Sequence, residues 1–377
     1  MPSSPTCPDA HLGRADDLML LLARVPDPRD PRGVRYGLAG MLAVAVCAVL
    51  TGARSFAAIG EWASELTSEA LDGLGLGSAP EESTLRKLFA RLDAAALDQQ
   101  LAVFAWTRTR HLEGRRVIAI DGKTVRGARS KTRQAPHLVA AVQHGAGVVL
   151  GQKAVAAKSN EIPAVRDLLA GFDPADLHGC VITLDAMHTQ NDTAQTILAA
   201  GADYVLTVKA NQPTLLARLK ALPWSKVPTH IGHSRLSRGH GRRTRRTIKV
   251  IDAPDWVGFP GAAQVAQLRR TVTKNGKKTV EVVYLITSAT HTEAPPAVLT
   301  SWVQGHWHIE NRLHWCRDVT FDEDRSTVRT GRAPHVMASL RNTAITLLRL
   351  TGQTNIAAGL RHHSRHPQQA VACLLTC

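Results

Sequence analysis

Apolar residues in the first third of the chain recur at helical spacing. Four segments show this pattern, at residues 18–25, 38–50, 55–66 and 83–92. Apolar side chains three and four positions apart lie on one face of an α-helix and can pack together into a core. The pattern predicts an all-α region over 15–114, which follows a disordered N-terminus over 1–14.

The segment 83–92, STLRKLFARL, has two distinct faces. Three basic residues lie toward one side and the apolar residues lie toward the other. Ser83 is a typical N-cap residue, so the helix is predicted to begin near Thr84. A basic helix that follows another short helix can read DNA in a helix-turn-helix. An ordinary amphipathic surface helix has the same pattern, and both interpretations stand.

From Val117 onward the pattern changes to short apolar runs that are typical of β-strands. Five such runs occur, at 117–120, 138–142, 148–155, 181–184 and 204–208. Turns of hairpin length separate the first three runs, which predicts antiparallel pairing. Helical segments at 163–172 and 191–202 separate the last three, which predicts parallel pairing through crossovers. This order predicts an α/β fold with a mixed sheet of the ribonuclease-H-like type.

The alternation stops between 215 and 300, where a β-rich insertion is predicted. Two strand-like runs there are joined by Asn275-Gly276, a dipeptide that strongly favours a two-residue hairpin. Helical spacing returns at 297–318 and at 333–350. We therefore predict one domain over 115–350 that carries the insertion, followed by a C-terminal tail over 351–377.

The run 38–53 contains no charged residue and, with the two residues before it, spans 18 positions. This length is near the lower limit for a membrane helix. The run is rich in Ala and Gly, however, and no second run of this kind exists in the sequence. A buried helix in a soluble domain is the preferred interpretation, and no membrane partner is predicted.

The charge of the chain indicates a polyanionic partner. Lys and Arg number 46 against 31 Asp and Glu, a net charge of +15. Such an excess favours double-stranded DNA, because each neutralised phosphate releases counterions; a membrane surface is the alternative polyanion. The densest stretch, 235–249, has seven basic residues and no acid, and a solvated strand face is its other interpretation. Its predicted DNA contacts are Arg242, Arg243, Arg245 and Arg246.

Cysteine usage bears on the compartment. The six cysteines are scattered, without a CxxC pair or the spacing of a zinc site. A reduced, cytoplasmic protein is therefore predicted.

Two aspartates share one setting at the ends of predicted strands. Asp121 directly follows the run 117–120, and Asp185 directly follows the run 181–184. Asp-Gly is a common turn, so Asp121 alone would decide little. Two strand-end carboxylates in one sheet are more than turns require.

A third acid occurs in a predicted helix over 301–317. At α-helical spacing, Glu310 shares a stripe with His306, His314 and Arg317. An apolar stripe runs beside it, which predicts that this helix docks onto the sheet. The cationic neighbours of Glu310 are predicted to serve a charged ligand.

Three carboxylates beside many cations fit two-metal phosphoryl transfer. Mg²⁺ and Mn²⁺ prefer oxygen ligands, and a pair of ions can stabilise both the attacking and the leaving oxygen of an in-line displacement. The residues predict a nucleic-acid phosphotransferase with two Mg²⁺ (or Mn²⁺) ions, in which Asp121, Asp185 and Glu310 are catalytic and bind the metal.

Other groups offer competing assignments. Glu323, between Asp322 and Asp324, is an alternative third acid, although such a run is more often a solvated loop. His188 can assist the site, or have a structural role. The histidine-rich segment 361–366 can bind metal or be solvated.

Several stretches together resemble the DDE transposases of bacterial insertion sequences, in the group that includes the H-repeat-associated proteins. They are VIAIDGKTVRGA, KSNEI, ITLDAMHTQ, YVLTVKANQP, GHWHIENRLHWCRDVTFDEDRS and SLRNTAI. The segment 27–63 also resembles the accessory domain of that group. The resemblance covers nearly the whole chain.

The resemblance implies a ribonuclease-H-like catalytic core and the triad Asp121, Asp185 and Glu310. Of the wider Tyr-Arg-Glu-Lys signature only the Glu is present, since Val303, His306 and Arg317 occupy the other positions. The implied function is metal-dependent strand cleavage and strand transfer at the ends of an insertion sequence, by a nucleoid-associated homodimer on DNA. Further predicted phosphate contacts are Lys123, Arg126, Lys209, Arg312 and Arg317.

Two alternatives remain at this point. One is a catalytically inactive DNA-binding protein derived from such an element, which the departures at Gln304 and His306 allow. The other is a metal-dependent nuclease without strand transfer, which strand-joining products would distinguish from a transposase.

Overall fold

The computed structural model describes residues 17–109, 114–130, 134–156, 159–227, 234–239 and 242–376. The predicted disordered segment 1–14 lies outside these residues. The chain divides into two compact units. The helix-rich unit comprises Met1–Glu113, Gly122–Asn160 and Ile309–Cys377, and the sheet-rich unit comprises Gly114–Asp121 and Glu161–His308.

Among the described residues, six helices form the N-terminal part of the helix-rich unit; the apolar spacing predicts four of them and misses those at 68–73 and 94–108. The six are α1 (Leu18–Ala23), α2 (Leu38–Leu50), α3 (Phe56–Ser64), α4 (Ser68–Gly73), α5 (Glu82–Arg91) and α6 (Ala94–Arg108). Side chains of Asp17, Ser55, Thr67 and Asp93 accept backbone hydrogen bonds at the starts of α1, α3, α4 and α6. Such caps satisfy amides that a helix leaves unpaired at its first turn.

The uncharged helix α2 is the core of this unit. Twelve of its 13 residues are buried, and it packs against α1 and α3. At Gly40 a β-carbon would lie 2.6 Å from the carbonyl oxygen of Leu74, so only glycine allows this close approach. Across the described residues, none of the helices has the length and apolar character that a membrane crossing requires.

The start of α5 differs from the prediction. The helix begins at Glu82, its N-cap is Glu81, and no side chain caps it. Ser83 is already inside the first turn, because Glu81 is the extended residue that directly precedes the helix. The apolar face of α5 packs against α3, where the rings of Phe56 and Phe89 are 5.6 Å apart.

Three further helices complete this unit: α12 (Ala333–Leu350), α13 (Ile356–Arg365) and α14 (Pro367–Thr376). The helix α12 packs against α2, α5 and α6, and both α13 and α14 contact α2. Cys47 of α2 donates to the carbonyl oxygen of Ala370, 3.6 Å away. The predicted C-terminal tail is therefore helical and packed over 356–376.

The sheet combines parallel and antiparallel strands. Its first five strands along the chain are β1 (Val117–Thr124), β2 (His137–Gln143), β3 (Val149–Ala154), β4 (Val181–Leu184) and β5 (Asp203–Val208). Strand β1 pairs in parallel with β4, and β4 with β5. Strands β2 and β3 form an antiparallel hairpin, and the Val125 amide after β1 donates to Pro136 before β2. This strand plan confirms the predicted ribonuclease-H-like fold.

Helices follow β3, β4 and β5. Between β3 and β4 lie α7 (Glu161–Ala170) and α8 (Pro174–Leu177), α9 (Asn191–Ala199) joins the parallel strands β4 and β5, and α10 (Pro213–Ala221) follows β5. The prediction missed α8, whose four residues are too few for a hydrophobic period, and α10, most of which lies within the span 215–300 that was predicted as β-rich.

The predicted β-rich insertion is confirmed. It consists of β6 (Ser234–Gly239), β7 (Arg242–Asp252), β8 (Gln264–Lys274) and β9 (Lys277–Thr287), all antiparallel, and α11 (Pro296–His306) follows. Asn275 and Gly276 both have positive φ, 49° and 75°, as a two-residue hairpin turn requires. Strand β9 pairs with β5, so the insertion extends the sheet.

Candidate active site

Asp121 and Asp185 lie side by side on neighbouring parallel strands. Val117, Ile118 and Ala119 of β1 pair with Val181, Ile182 and Thr183 of β4. Continuing that register by two residues places Asp121 opposite Asp185, which is still in extended backbone. Neighbouring strands are about 4.8 Å apart, and side chains at equal register point to the same face. The two carboxylates therefore share one face of the sheet.

Both aspartates are the first charged residues after a buried apolar run, but only Asp185 lies at a strand end, because β1 continues past Asp121 to Thr124. The side chains of Ile118, Ile120, Val181 and Ile182 are fully buried, whereas Asp121 and Asp185 are partly exposed. The Asp185 carboxylate also accepts from the Met187 amide at 3.1 Å. This bond orients the carboxylate at the point where the chain leaves the sheet.

His188 lies between two carboxylates. Its Nε2 atom is 3.8 Å from Oδ1 of Asp185 and 3.5 Å from Oε2 of Glu161. The ring is fully buried, and neither nitrogen has a hydrogen bond among the described residues. The sequence indicated His188 but missed Glu161, whose signal is its place in KSNEI at the start of α7. The imidazole restricts where the Asp185 carboxylate can turn.

His306 is neutral, contrary to its prediction as a cationic neighbour of an acid. Burial lowers its pKa to about 4, against the opposing effect of Asp185. Its Nδ1 atom lies 3.1 Å from the Thr183 hydroxyl. The ring thus packs on β4, next to the strand end that carries Asp185.

Glu310 begins a π-helical stretch in the helix-rich unit. Two π-turns cover Glu310–His314 and Cys316–Thr320. The side chain of Glu310 is 68% exposed, and Nδ1 of His314 lies 3.1 Å from its Oε2. Burial and the Arg317 charge lower the pKa of His314 to about 4, although Glu310 acts against this. A neutral His314 at this distance orients the Glu310 carboxylate by donating its Nδ1 proton.

The prediction that Arg317 contacts phosphate is wrong. Its side chain is fully buried and forms a two-pronged ion pair with Glu323, at 2.8 Å and 3.0 Å. Arg341 also pairs with Glu323, at 2.9 Å. A π-turn has more residues per turn than an α-turn, so Arg317 leaves the stripe that α-helical spacing assigned to it.

Glu323 is equally excluded as the third metal ligand. Its carboxylate is fully buried and accepts from two guanidinium groups. Burial raises its pKa, but the charges of Arg317 and Arg341 outweigh this and lower it overall. The carboxylate is charged and fully occupied by the two arginines.

The remaining predicted phosphate contacts differ in exposure. Lys123 is buried and pairs with Asp318 at 2.6 Å, so its charge is already compensated. Arg126 is 76% exposed, with Asp324 at 3.6 Å. Lys209 is also exposed.

The basic strand β7 presents alternating arginines. Arg243 and Arg245 are exposed and point to one face. Arg246 points to the other face, where its guanidinium lies 5.9 Å from the centre of the Trp307 ring. The side chain of Arg242 lies outside the described part of the chain.

Comparisons with known proteins agree with the motifs. A family model described as the transposase DDE domain matches residues 112–347, and one described as DDE_Tnp_1-associated matches residues 19–106. The protein YbfL of Escherichia coli K12 is 32% identical over 365 residues, covering 92% of this chain and 94% of YbfL. The "H repeat-associated putative transposase YhhI" of the same strain is 31% identical, with the same coverage. These matches span both the helical N-terminal region and the strands that carry Asp121 and Asp185, and the chain belongs to the DDE transposase family.

Proposed function

We propose that this protein is a DNA transposase that cuts DNA strands at the ends of an insertion sequence and joins them to target DNA. The observation that carries the proposal is the equal register of Asp121, within β1, and Asp185, directly after β4, on neighbouring parallel strands. Family membership supports it, and it favours a transposase over an unrelated nuclease.

The donor atoms at these positions fit divalent metal. Both aspartates offer hard carboxylate oxygens, partly exposed and on one face, as Mg²⁺ and Mn²⁺ prefer. By its motif, Glu310 supplies the third carboxylate. When bound, the two ions would lower the pKa of water and stabilise charge on the attacking and leaving oxygens.

Around these ligands, protein groups hold the carboxylates in place. The Met187 amide and His188 restrict Asp185, and the Nδ1 proton of His314 restricts Glu310. Neutral His306 adds no positive charge beside Asp185. Groups held in this way bring the reacting atoms together at a low entropic cost.

The reaction has two displacements at phosphorus. In the first, a water oxygen bonds to the scissile phosphorus and the bond to the 3′ oxygen breaks, which releases the 3′-hydroxyl of the element. In the second, that hydroxyl attacks a target phosphodiester and a target 3′-hydroxyl leaves. We propose that two copies of the chain act together, one at each end of the element.

Cleavage is expected to require Mg²⁺ or Mn²⁺. Ca²⁺ should support DNA binding but little cleavage, because its variable coordination aligns the attack poorly. The measurement is strand cleavage of labelled duplex in each metal and in a chelator. Full activity in the chelator would contradict the metal assignment. Binding without cleavage in every metal would favour the inactive DNA-binding protein.

The exposed arginines of β7 should contact phosphate. Changing Arg243 and Arg245 together to Gln should reduce the slope of log affinity against log salt by about two, since each phosphate contact contributes roughly 0.9. Sequence preference should not change, because phosphate contacts position the protein but do not specify bases. Fluorescence anisotropy over a salt series measures both.

A matched control is available on α13, where Arg361 and Arg365 are also exposed. Changing both to Gln should leave the salt slope as it is in the wild type. If the salt slope of the Arg243 and Arg245 double variant equals that of the wild type, this face of β7 is exposed to solvent and does not contact DNA.

A further inference from the structure

An open groove lies in the helix-rich unit beside the π-helical stretch. Its volume is about 500 Å³, within the range of ligand sites. The β2–β3 turn, the π-helical stretch and the start of α13 form its walls. No carboxylate lines it among the described residues. The lining residues used below are Arg312, Trp315, Arg349 and Asn355.

Two arginines give the groove an uncompensated positive charge. Arg312 donates to the carbonyl oxygen of Gly145, and Arg349 donates to that of Thr354 at 2.7 Å. These acceptors are neutral, and in the described part of the chain neither arginine pairs with an acid. Both side chains also lie against Gly147, where a β-carbon would be 3.3 Å from Arg312 and 3.5 Å from Arg349. The two guanidinium groups therefore converge on one region.

Trp315 supplies an aromatic surface at the same groove. Its side chain is 52% exposed, so part of the ring is open to contact from the groove. Burial lowers the pKa of Arg349, with Arg312 acting in the same direction. An anion beside these arginines would relieve that cost.

The π-turn connects Trp315 to Glu310. The Trp315 amide donates to the Glu310 carbonyl, so the two residues are one π-turn apart. In an α-helix the Glu310 carbonyl would instead accept from the amide of the residue four positions later. The side chains of Glu310 and Trp315, on successive turns of one stretch, are both exposed.

We propose that this groove binds an unpaired nucleotide of the DNA end, with the base stacked on Trp315 and the phosphate between Arg312 and Arg349. Aromatic stacking and cationic contacts are the shared physics of single-strand recognition, and they tolerate any base. The first turn of α13, capped by Asn355, adds partial positive charge. The assignment rests on the proposed transposase function and names the DNA form that the site prefers.

The test compares a blunt duplex with the same duplex frayed by three unpaired nucleotides at one end, both in Ca²⁺. Wild-type protein is expected to bind the frayed end about tenfold more tightly, the effect of one stacked base. Trp315→Ala should remove this preference and leave blunt-duplex affinity unchanged. Trp315→Phe should restore it, which separates stacking from a folding defect. Arg312→Gln with Arg349→Gln should weaken frayed-end binding and its salt dependence.

Trp256 is a matched control, since its side chain is also 52% exposed. Trp256→Ala should keep the preference. An equal loss in Trp256→Ala, an unchanged ratio in Trp315→Ala, or no binding of either DNA would overturn the proposal. Competition by dAMP at the affinity of the frayed end would reassign the groove to a free nucleotide.

The result of this binding test can be distinguished from the result of a test of transposase activity. Asp121→Ala should retain the preference for frayed ends while it loses cleavage. A preference without cleavage in the wild type would leave the groove standing and remove the transposase activity. Cleavage by the wild type without a preference for frayed ends would support the transposase activity and refute the nucleotide site in the groove.

Discussion

Replacing Asp121, Asp185 or Glu310 with alanine is expected to abolish DNA cleavage and to leave DNA binding largely intact. Each change removes a metal ligand, and metal supplies several kcal/mol of transition-state stabilisation, which corresponds to about a thousandfold or more in rate. Binding should persist because carboxylates repel phosphate and contribute nothing to holding DNA. Cleavage rate and duplex affinity are measured on the same preparations.

Asp192→Ala is the matched control for this set. Asp192 is an exposed aspartate of α9 whose contact is an exposed ion pair with Arg166, and its loss should leave cleavage near the wild-type rate. Near-normal cleavage by any one of the three triad variants would show that residue to be wrongly assigned.

Glu323→Ala is expected to lower the free energy of unfolding by about 3–5 kcal/mol, because it leaves two buried guanidinium groups without their partner. Arg317 and Arg341 are both at most 1% exposed, so water cannot replace the lost carboxylate. Within the described residues, Nε and Nη2 of Arg341 already lack hydrogen bonds. Denaturant unfolding of the wild type and the variant measures the difference.

The matched control for Glu323 is an exposed ion pair in the same unit. Glu82→Gln breaks the ion pair between Glu82 and Arg86, whose side chains are 42% and 51% exposed, respectively. This change should lower the free energy of unfolding by at most about 0.5 kcal/mol. A loss of this small size in Glu323→Ala would refute the structural role assigned to the buried network.

The effect of Glu323 should also depend on pH. Its pKa is lowered in the folded state, so its contribution is fully present above the unfolded pKa and is lost as pH falls through the folded pKa. The stability gap between the wild type and Glu323→Ala should therefore narrow in acid.

The sequence predicted those features of the fold that depend on residues close together along the chain. The apolar runs located β1 to β5. For β1, β4 and β5 the reason is that parallel strands buried on both faces need continuous apolar residues; β2 is almost entirely buried as well. Asn275-Gly276 fixed a hairpin, since both positions need positive φ. The acids at 121 and 185 stood out because each ends such a run.

Features set by tertiary contacts were not predictable in this way. α-Helical spacing placed Arg317 beside Glu310, but the π-turns moved it into the interior, where Glu323 is its partner. The burial that makes His306 and His314 neutral depends on elements far away in sequence. The helices α13 and α14 were missed because their packing surface, α2, lies more than 300 residues earlier.

The most direct test of the proposed function uses the DNA that flanks this gene in its source. Purified protein, Mg²⁺ and a duplex spanning each flank are incubated with a target plasmid, and the ends of the products are sequenced. We expect cuts at terminal inverted repeats that leave element 3′-hydroxyls, followed by joining of those ends to the plasmid. Binding of these duplexes without any cut strand or joined product would refute the proposed transposase activity.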